Sequence, residues 1–365
     1  MGFVDIQSVS IHDRGLRAAF VSNASLLEAK GELRIDYPFA LRISDDDVEQ
    51  IVLSTFLPLA SVDGPIVMRA PFDLVRGAYW RAYLARFAEL SQSLSFERRA
   101  NNVERGEGAL LETVRGTSNV GILFGGGVES LFGLFKLASL NPHLFAVVGP
   151  GFMNNDHARS SIKEEVEARL QADMGVRLHR VETNARRLWI VSDDAVPNKL
   201  CTGLLFYFYM RPMMAALGVE LLLKVSEFEE AQNFSDYDQS INPRFLSHIS
   251  DGPVFVPFLN AYSKIQMFEE LSRTPYFDYV YSCLNNTDKR WCGRCSKCRR
   301  LAEYGRRLGI DTGRIGLDPS IEYVKETSPI GRNYAAAMDR VAPRRPNHHS
   351  AVRLVAKLLR GGGVM

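Results

Sequence analysis

No stretch of the chain holds the roughly 18 uninterrupted apolar residues that a membrane-spanning helix needs. The nearest approach, "LCTGLLFYFYMRPMMAALG", is broken by Arg211 and Pro212. The opening "MGFVDIQSVSIHDRG" carries acids and no apolar core run, unlike a secretory or transit signal. Neither sign of charge dominates: 44 Lys+Arg stand against 42 Asp+Glu, so electrostatic arguments about partners must be local. These absences lead us to expect a soluble, cytoplasmic protein. No Ser-His-Asp or Cys-His arrangement suggests a nucleophilic enzyme. Cysteine is scarce, and its distribution is uneven. Of five in 365 residues, Cys283, Cys292, Cys295 and Cys298 fall within sixteen positions, while Cys201 sits alone in an apolar, helix-like run and is expected in the core. Without an export signal, a tight group of four points to a metal rather than to disulfides.

What is present divides into three parts. In residues 1–112, "SVSIHD", "RAAFVS" and "LRIDYPFALRIS" read as strands, followed by helices over "DDDVEQIVLSTFLPLASV" and "PFDLVRGAYWRAYLARFAELSQSL". This is expected to be an N-terminal α+β module, with the aromatic stripe of its second helix in the core. In residues 113–312 strands and helices alternate: "SNVGILF", "ESLFGLFKLASL", "HLFAVVG", "DHARSSIKEEVEARLQADMG", "VRLHRVE", a helix over 199–217, then "VELLLKVS". Alternation predicts an α/β fold with a parallel sheet covered on both faces, whose ligands sit beyond the carboxyl ends of the strands. Residues 313–365 are a basic tail; from 331 onward seven Lys/Arg face only Asp339.

Between the first strand and first helix of the alternating part stands Gly125-Gly126-Gly127-Val128-Glu129-Ser130. Glycines here let backbone N–H groups at a positive helix N-terminus approach a phosphate closely. A Walker loop is excluded because no lysine follows until Lys136, and the dinucleotide fingerprint fails at its third glycine, where Ser130 stands. The run resembles the pyrophosphate (PP) loop of the N-type ATP pyrophosphatases, Ser-Gly-Gly-x-Asp-Ser. It departs from that loop at Gly125, which removes one hydroxyl contact, and at Glu129, which keeps a carboxylate able to hold Mg²⁺.

The cysteine spacing Cys-x8-Cys-x2-Cys-x2-Cys suits one tetrahedral Zn²⁺, with Gly293 favouring a knuckle turn; an iron–sulfur cluster is the competing occupant. Four protein thiolates leave no open position, so the metal is expected to be structural. Loop and knuckle together resemble the cyano-deazaguanine synthase branch of the PP-loop superfamily, in which a "P-L…K-x-E/Q" segment precedes the cysteines. Here Pro257-Phe258-Leu259 and Lys264-Ile265-Gln266 are similar to that segment, and the resemblance implies that Lys264 contacts ATP phosphates. The N-terminal module, and Trp291-Cys292-Gly293-Arg294-Cys295-Ser296-Lys297-Cys298, resemble instead the ATP-dependent muramyl-peptide glutamate epimerases.

Both resemblances imply a Rossmann-like sheet of the adenine nucleotide alpha hydrolase (HUP) type and one chemistry. A carboxylate or carbonyl oxygen attacks the α-phosphorus of ATP, and pyrophosphate leaves. The cofactors implied are ATP, Mg²⁺ and Zn²⁺. The binding residues implied are Gly125, Gly126, Gly127, Val128, Glu129, Ser130 and Lys264. The reading preferred is an amino-acid or peptide epimerase. The alternatives are amide, nitrile or thio-group formation, and a non-catalytic ATP sensor. Epimerisation would need a proton-transfer base, for which Glu227 heads a set with Glu229, Glu230, Asp236, Asp238 and His157; Asn154, Asn155 and Asp156 suit an adenosine contact. The knuckle is ringed by Lys289, Arg290, Arg294, Lys297, Arg299, Arg300, Arg306 and Arg307. Poor aromatic interleaving disfavours nucleic acid, and the partner expected is a small molecule or peptide bearing an anionic group.

Overall fold

The computed structural model describes residues 1–85, 93–98, 103–105, 118–149, 157–190, 196–225, 252–258, 262–281, 283 and 290–322. At the N-terminus β1 (Gly2–His12), β2 (Gly15–Ser22) and β3 (Lys30–Asp36) form an antiparallel meander. Val4 and Ile6 of β1 point into the core, and so do Val9 and Ile11, because a register shift between Ile6 and Ser8 resets the alternation. Ser44 then caps α1 (Asp45–Ala60): its hydroxyl accepts the Asp47 N–H while the Asp47 carboxylate accepts the Ser44 N–H. This capping box sets the helix start, and three aspartates in the first turn favour its positive end.

The rest of the module departs from expectation. β4 (Ile66–Ala70) is a strand too short and too close to a helix for alternation to reveal it. The second helix, α2 (Gly77–Leu84), does not begin at Pro71, since residues 71–76 form turns. Its Trp80 and Tyr83 are buried as expected, with the Trp80 indole N–H donated to Gln50 Oε1 at 2.9 Å. β5 (Leu94–Arg98) and β6 (Val103–Arg105) follow; β4 and β6 pair parallel with β1, and β5 pairs parallel with β4.

From residue 118 the alternation appears as read: β7 (Val120–Leu123), α3 (Val128–Leu137), β8 (His143–Val148), α4 (His157–Met174), β9 (Arg177–Thr183), α5 (Val196–Leu217), β10 (Leu221–Val225), β11 (Val254–Phe258), α6 (Lys264–Ser272) and α7 (Ser296–Leu308). All these strands run parallel, in the order β11-β10-β7-β8-β9. An antiparallel pair, β3 with β9, joins them to the N-terminal strands in one eleven-stranded, mostly parallel sheet.

Each face is covered. Leu222, Phe145 and Phe255 point to the side where α5 packs on α1. There Thr55 Oγ1 and Tyr209 Oη share a hydrogen bond of 2.6 Å, and Arg211 reaches Asp46 at 2.5 Å. Leu221, Leu223 and Val225 point to the opposite side, against α3, α6, α7 and the cysteines. That sidedness is why these strands read as continuous apolar runs. No helix among the described residues is long and apolar enough to cross a membrane.

Candidate functional site

β7 lies at the centre of the parallel strands, with β8 and β9 on one side and β10 and β11 on the other. The chain therefore winds outward in one direction, returns, and winds in the other. Where such an order reverses, the loops beyond the carboxyl ends diverge and leave a crevice. Gly125, Gly126 and Gly127 occupy this point. Gly126 is in the left-handed region at φ +71°, and a Cβ there would stand 3.2 Å from the Tyr281 carbonyl. Its own carbonyl accepts the Tyr281 N–H at 2.7 Å. Gly127 is the N-cap of α3 and supplies no side-chain cap, so the first-turn amides of Val128, Glu129 and Ser130 have no side-chain acceptor from the cap. Ser130 spends its hydroxyl on the Gly127 carbonyl at 3.2 Å. Close seating of α3 on the sheet depends on Gly133, where a Cβ would collide with Val225 at 2.3 Å.

Lys264 is the first residue of α6, and the local sequence explains its position. Ser263 and Gln266 form a capping box, the Ser263 N–H donating to Gln266 Oε1 at 2.9 Å. The lysine is thereby held at the helix start, where its ammonium forms an ion pair with Glu129. The Glu129 carboxyl is held well below the usual carboxylate range. Burial pushes that carboxyl up, but the charge and hydrogen bond of Lys264, its own backbone N–H and the charge of Lys297 together outweigh the burial. Lys297, the second residue of α7, is lowered by burial and then by Lys264, while Glu129 works the other way. The carboxylate of Glu129 and the ammonium of Lys264 thus stand paired at the entrance of the glycine loop.

The four cysteine sulfurs all lie within 4.8 Å of one another. Cys283–Cys295 is 4.0 Å, Cys292–Cys298 3.8 Å and Cys295–Cys298 3.4 Å, against ~3.8 Å for the edge of a tetrahedron around Zn²⁺ with Zn–S of about 2.3 Å. The Cys292 N–H points at Cys283 Sγ and the Cys295 N–H at Cys292 Sγ, both at 3.3 Å. Gly293 takes φ +72°, the turn a knuckle requires. Hydrogen bonds from Cys283 and Cys295, with burial, push the Cys298 thiol up; a cation among the sulfurs would reverse this, because a metal-bound thiol is deprotonated. The donor set fits a closed metal centre such as zinc.

Of the residues singled out by sequence, Glu129 and Lys264 are brought together, and the glycines line their approach. Glu227, Glu229, Glu230, Asp236, Asp238, Asn154, Asn155 and Asp156 lie outside the described residues, as do Leu259 and residues 323–365. His157 begins α4 and Cys201 lies in α5, but the described residues do not extend to their side chains. One residue was missed, Tyr281, which holds the loop by its backbone; Arg290, which donates to the Asp278 and Val280 carbonyls at 2.6 and 2.8 Å, and Lys297 were read only as part of a basic patch. A backbone contact leaves no trace in residue type, so Tyr281 could not have been found. The basic residue inside the cysteine run was the signal for Lys297.

A cavity of about 650 Å³ lies elsewhere, between the end of β3 and α4. Its arginines are already engaged, Arg14 by the Pro38 carbonyl and Arg180 by Glu164 and Glu167, and the candidate site is assigned to the glycine loop. No protein-family model and no curated protein matches the chain.

Proposed function

We propose that the protein is an ATP-dependent enzyme of the PP-loop superfamily, with a HUP-type nucleotide-binding half. It activates a substrate carboxylate or carbonyl by adenylation. The observation that carries this reading is the glycine loop at the reversal of strand order, closed by the Lys264–Glu129 pair at the N-terminus of α3. Backbone amides at that terminus and the lysine offer fixed positive charge to a phosphate chain. In this reading the residues hold the triphosphate in line and neutralise the charge gathering on departing pyrophosphate. Neither task needs a side-chain nucleophile.

Glu129 would be the residue to hold Mg²⁺, which would supply charge neutralisation for the phosphates, and Lys264 would offer them a fixed cation. Cys283, Cys292, Cys295 and Cys298 would hold Zn²⁺, which supplies structural cross-linking at the edge of the site. More specifically, we read the reaction as epimerisation of an amino acid or a terminal residue of a peptide. The chain's own resemblance to the muramyl-peptide glutamate epimerases supports this over amide or nitrile formation.

The test is pyrophosphate release from ATP–Mg²⁺ by the zinc-loaded protein, with muropeptides, free amino acids and deazaguanine carboxylates supplied singly. Release dependent on one acid is expected, and incorporation of solvent deuterium at its α-carbon would mark epimerisation. Tight ATP binding with no release under any acid would replace the enzyme by a nucleotide sensor.

A further inference from the structure

Residues 278–281 run as a strap past the glycine loop, and the cysteine run holds that strap from two places. Tyr281 stands two positions before Cys283, and Arg290 two before Cys292. The Cys292 N–H points at Cys283 Sγ at 3.3 Å, which brings the two stretches side by side. One guanidinium nitrogen of Arg290 then reaches across and donates to the Asp278 and Val280 carbonyls, at 2.6 and 2.8 Å. The cysteines at one end and the arginine at the other thus make a closed bracket, with Tyr281 inside it. Two further contacts brace the same segment: Arg314 donates to Asp278 Oδ1 at 2.8 Å, and the Tyr279 hydroxyl to Asp173 Oδ2 at 2.5 Å.

What the bracket fixes is a peptide plane. The Tyr281 N–H donates to the Gly126 carbonyl at 2.7 Å. That carbonyl and the Gly127 N–H belong to one planar trans peptide and point in opposite directions. Pinning the carbonyl on the strap therefore turns the Gly127 N–H away from it, at the N-cap of α3, where it makes no hydrogen bond among the described residues. Gly126, at φ +71° and without a Cβ, offers little resistance to rotation of that plane. The hold has to come from outside the loop, and the strap supplies it.

We propose that Arg290 is a positioning residue of this site: by fixing the Tyr281 strap it sets the Gly127 N–H toward a bound phosphate, while the metal on the four cysteines closes the other end of the bracket. The inference rests on the reading of the glycine loop as a phosphate site. Arg290 does not itself meet the ligand; it acts through two carbonyls and one backbone N–H.

The test pairs calorimetric titration of the full-length, zinc-loaded protein, with ATP–Mg²⁺ and separately with inorganic pyrophosphate, with amide hydrogen exchange at Tyr281. Arg290→Met should weaken both ligands by roughly 10-fold and speed Tyr281 exchange by about as much or more, with zinc content unchanged. Arg290→Lys, which keeps a cationic donor, should recover part of both. Arg306→Met is the matched control, since that guanidinium donates to the Ile321 carbonyl at 2.7 Å and not to the strap; affinity and Tyr281 exchange should stay as in the wild type. Arg290→Gln takes the place of the methionine variant if the latter does not fold. Chelation of the metal should speed Tyr281 exchange in the wild type. Full affinity in Arg290→Met and Arg290→Gln would overturn the inference and leave the phosphate site standing. So would weakened binding with Tyr281 exchange unchanged, because the arginine would then meet the ligand itself, and so would weakened binding with loss of zinc, because it would then serve the knuckle alone. Unchanged Tyr281 exchange after chelation would overturn the part given to the metal. Binding of neither ligand by the wild type would overturn the phosphate site, and the inference with it.

Discussion

Two lysine–glutamate pairs tie α3 to α6, one at each end of the contact. Lys136 near the end of α3 meets Glu270 near the end of α6 at 2.6 Å, and Glu129 at the start of α3 meets Lys264 at the start of α6. The residue types are the same, but the surroundings differ. Lys136 is walled by the rings of Phe132, Phe135 and Tyr262 at 4.9, 5.1 and 5.4 Å, and its side chain is 5% exposed. Aromatic faces and a single carboxylate account for that cation. The Glu129 side chain is 25% exposed and stands at the N-terminus of α3 beside backbone amides and a left-handed glycine. A pair sealed by rings is structural, whereas a pair left open at a helix N-terminus is equipped to exchange partners with an anion.

Metal removal should separate the two ends most strongly. Chelation, or Cys292→Ser, is expected to lower the thermal midpoint by on the order of 10 °C or more, because the binding energy of a structural zinc is folding energy. Scanning fluorimetry alongside zinc release would measure this. Only the Lys264 end should lose ligand affinity beyond what unfolding explains.

Breaking the sealed pair comes next. Lys136→Met removes the cation beside the partly exposed Glu270 and should cost about 1–3 kcal/mol in urea unfolding, with nucleotide affinity unchanged at a temperature where the variant is folded. Equal loss of affinity from this variant would erase the contrast between the two pairs.

The pH dependence of stability sharpens it further. Glu129 is held well below its usual 4.5, so its contribution is present above pH 4.5 and lost as pH falls toward the lowered value. Glu129→Gln should flatten the acid limb. Glu49 has the opposite sign. Burial raises it to about 7, with the Arg76 N–H at 2.5 Å opposing and Asp46 reinforcing the rise. Its contribution is present below pH 4.5 and lost as pH rises through 7. Glu49→Gln, which keeps the acceptor, should therefore be more stable than wild type at pH 8, by up to about 3 kcal/mol. Guanidinium titrations at pH 3, 6 and 8 would show both slopes.

Lys264→Met should have the smallest effect on stability and should act on binding. Loss of one charged contact predicts about 10- to 100-fold weaker ATP–Mg²⁺ binding by titration, with a stability cost below that of Lys136→Met because this pair is the more exposed of the two.

Much of the alternating half was legible, since its central strands β7, β8 and β10 are largely buried and α6 begins at a recognisable cap, Ser263 with Gln266. The N-terminal half was less so. β4 is five residues long and adjoins a helical pattern, and its identity as a strand comes from pairing with Gly2–Asp5 of β1, a contact about sixty residues distant. The start of α2 was misplaced because Pro71 looks like a first helical residue, while the local chain turns until Gly77.

The sequence by itself determined the local grammar of this protein: the strand–glycine–helix junction at 120–130, the cysteine spacing that brings four sulfurs together, and the capping residues that start α1 and α6. These depend on interactions between neighbours a few positions apart. Only the tertiary structure decided which cation meets Glu129 and that Tyr281 holds the glycine loop. Those pairings join residues more than a hundred positions apart through the packing of distant segments, and residue spacing carries no record of them.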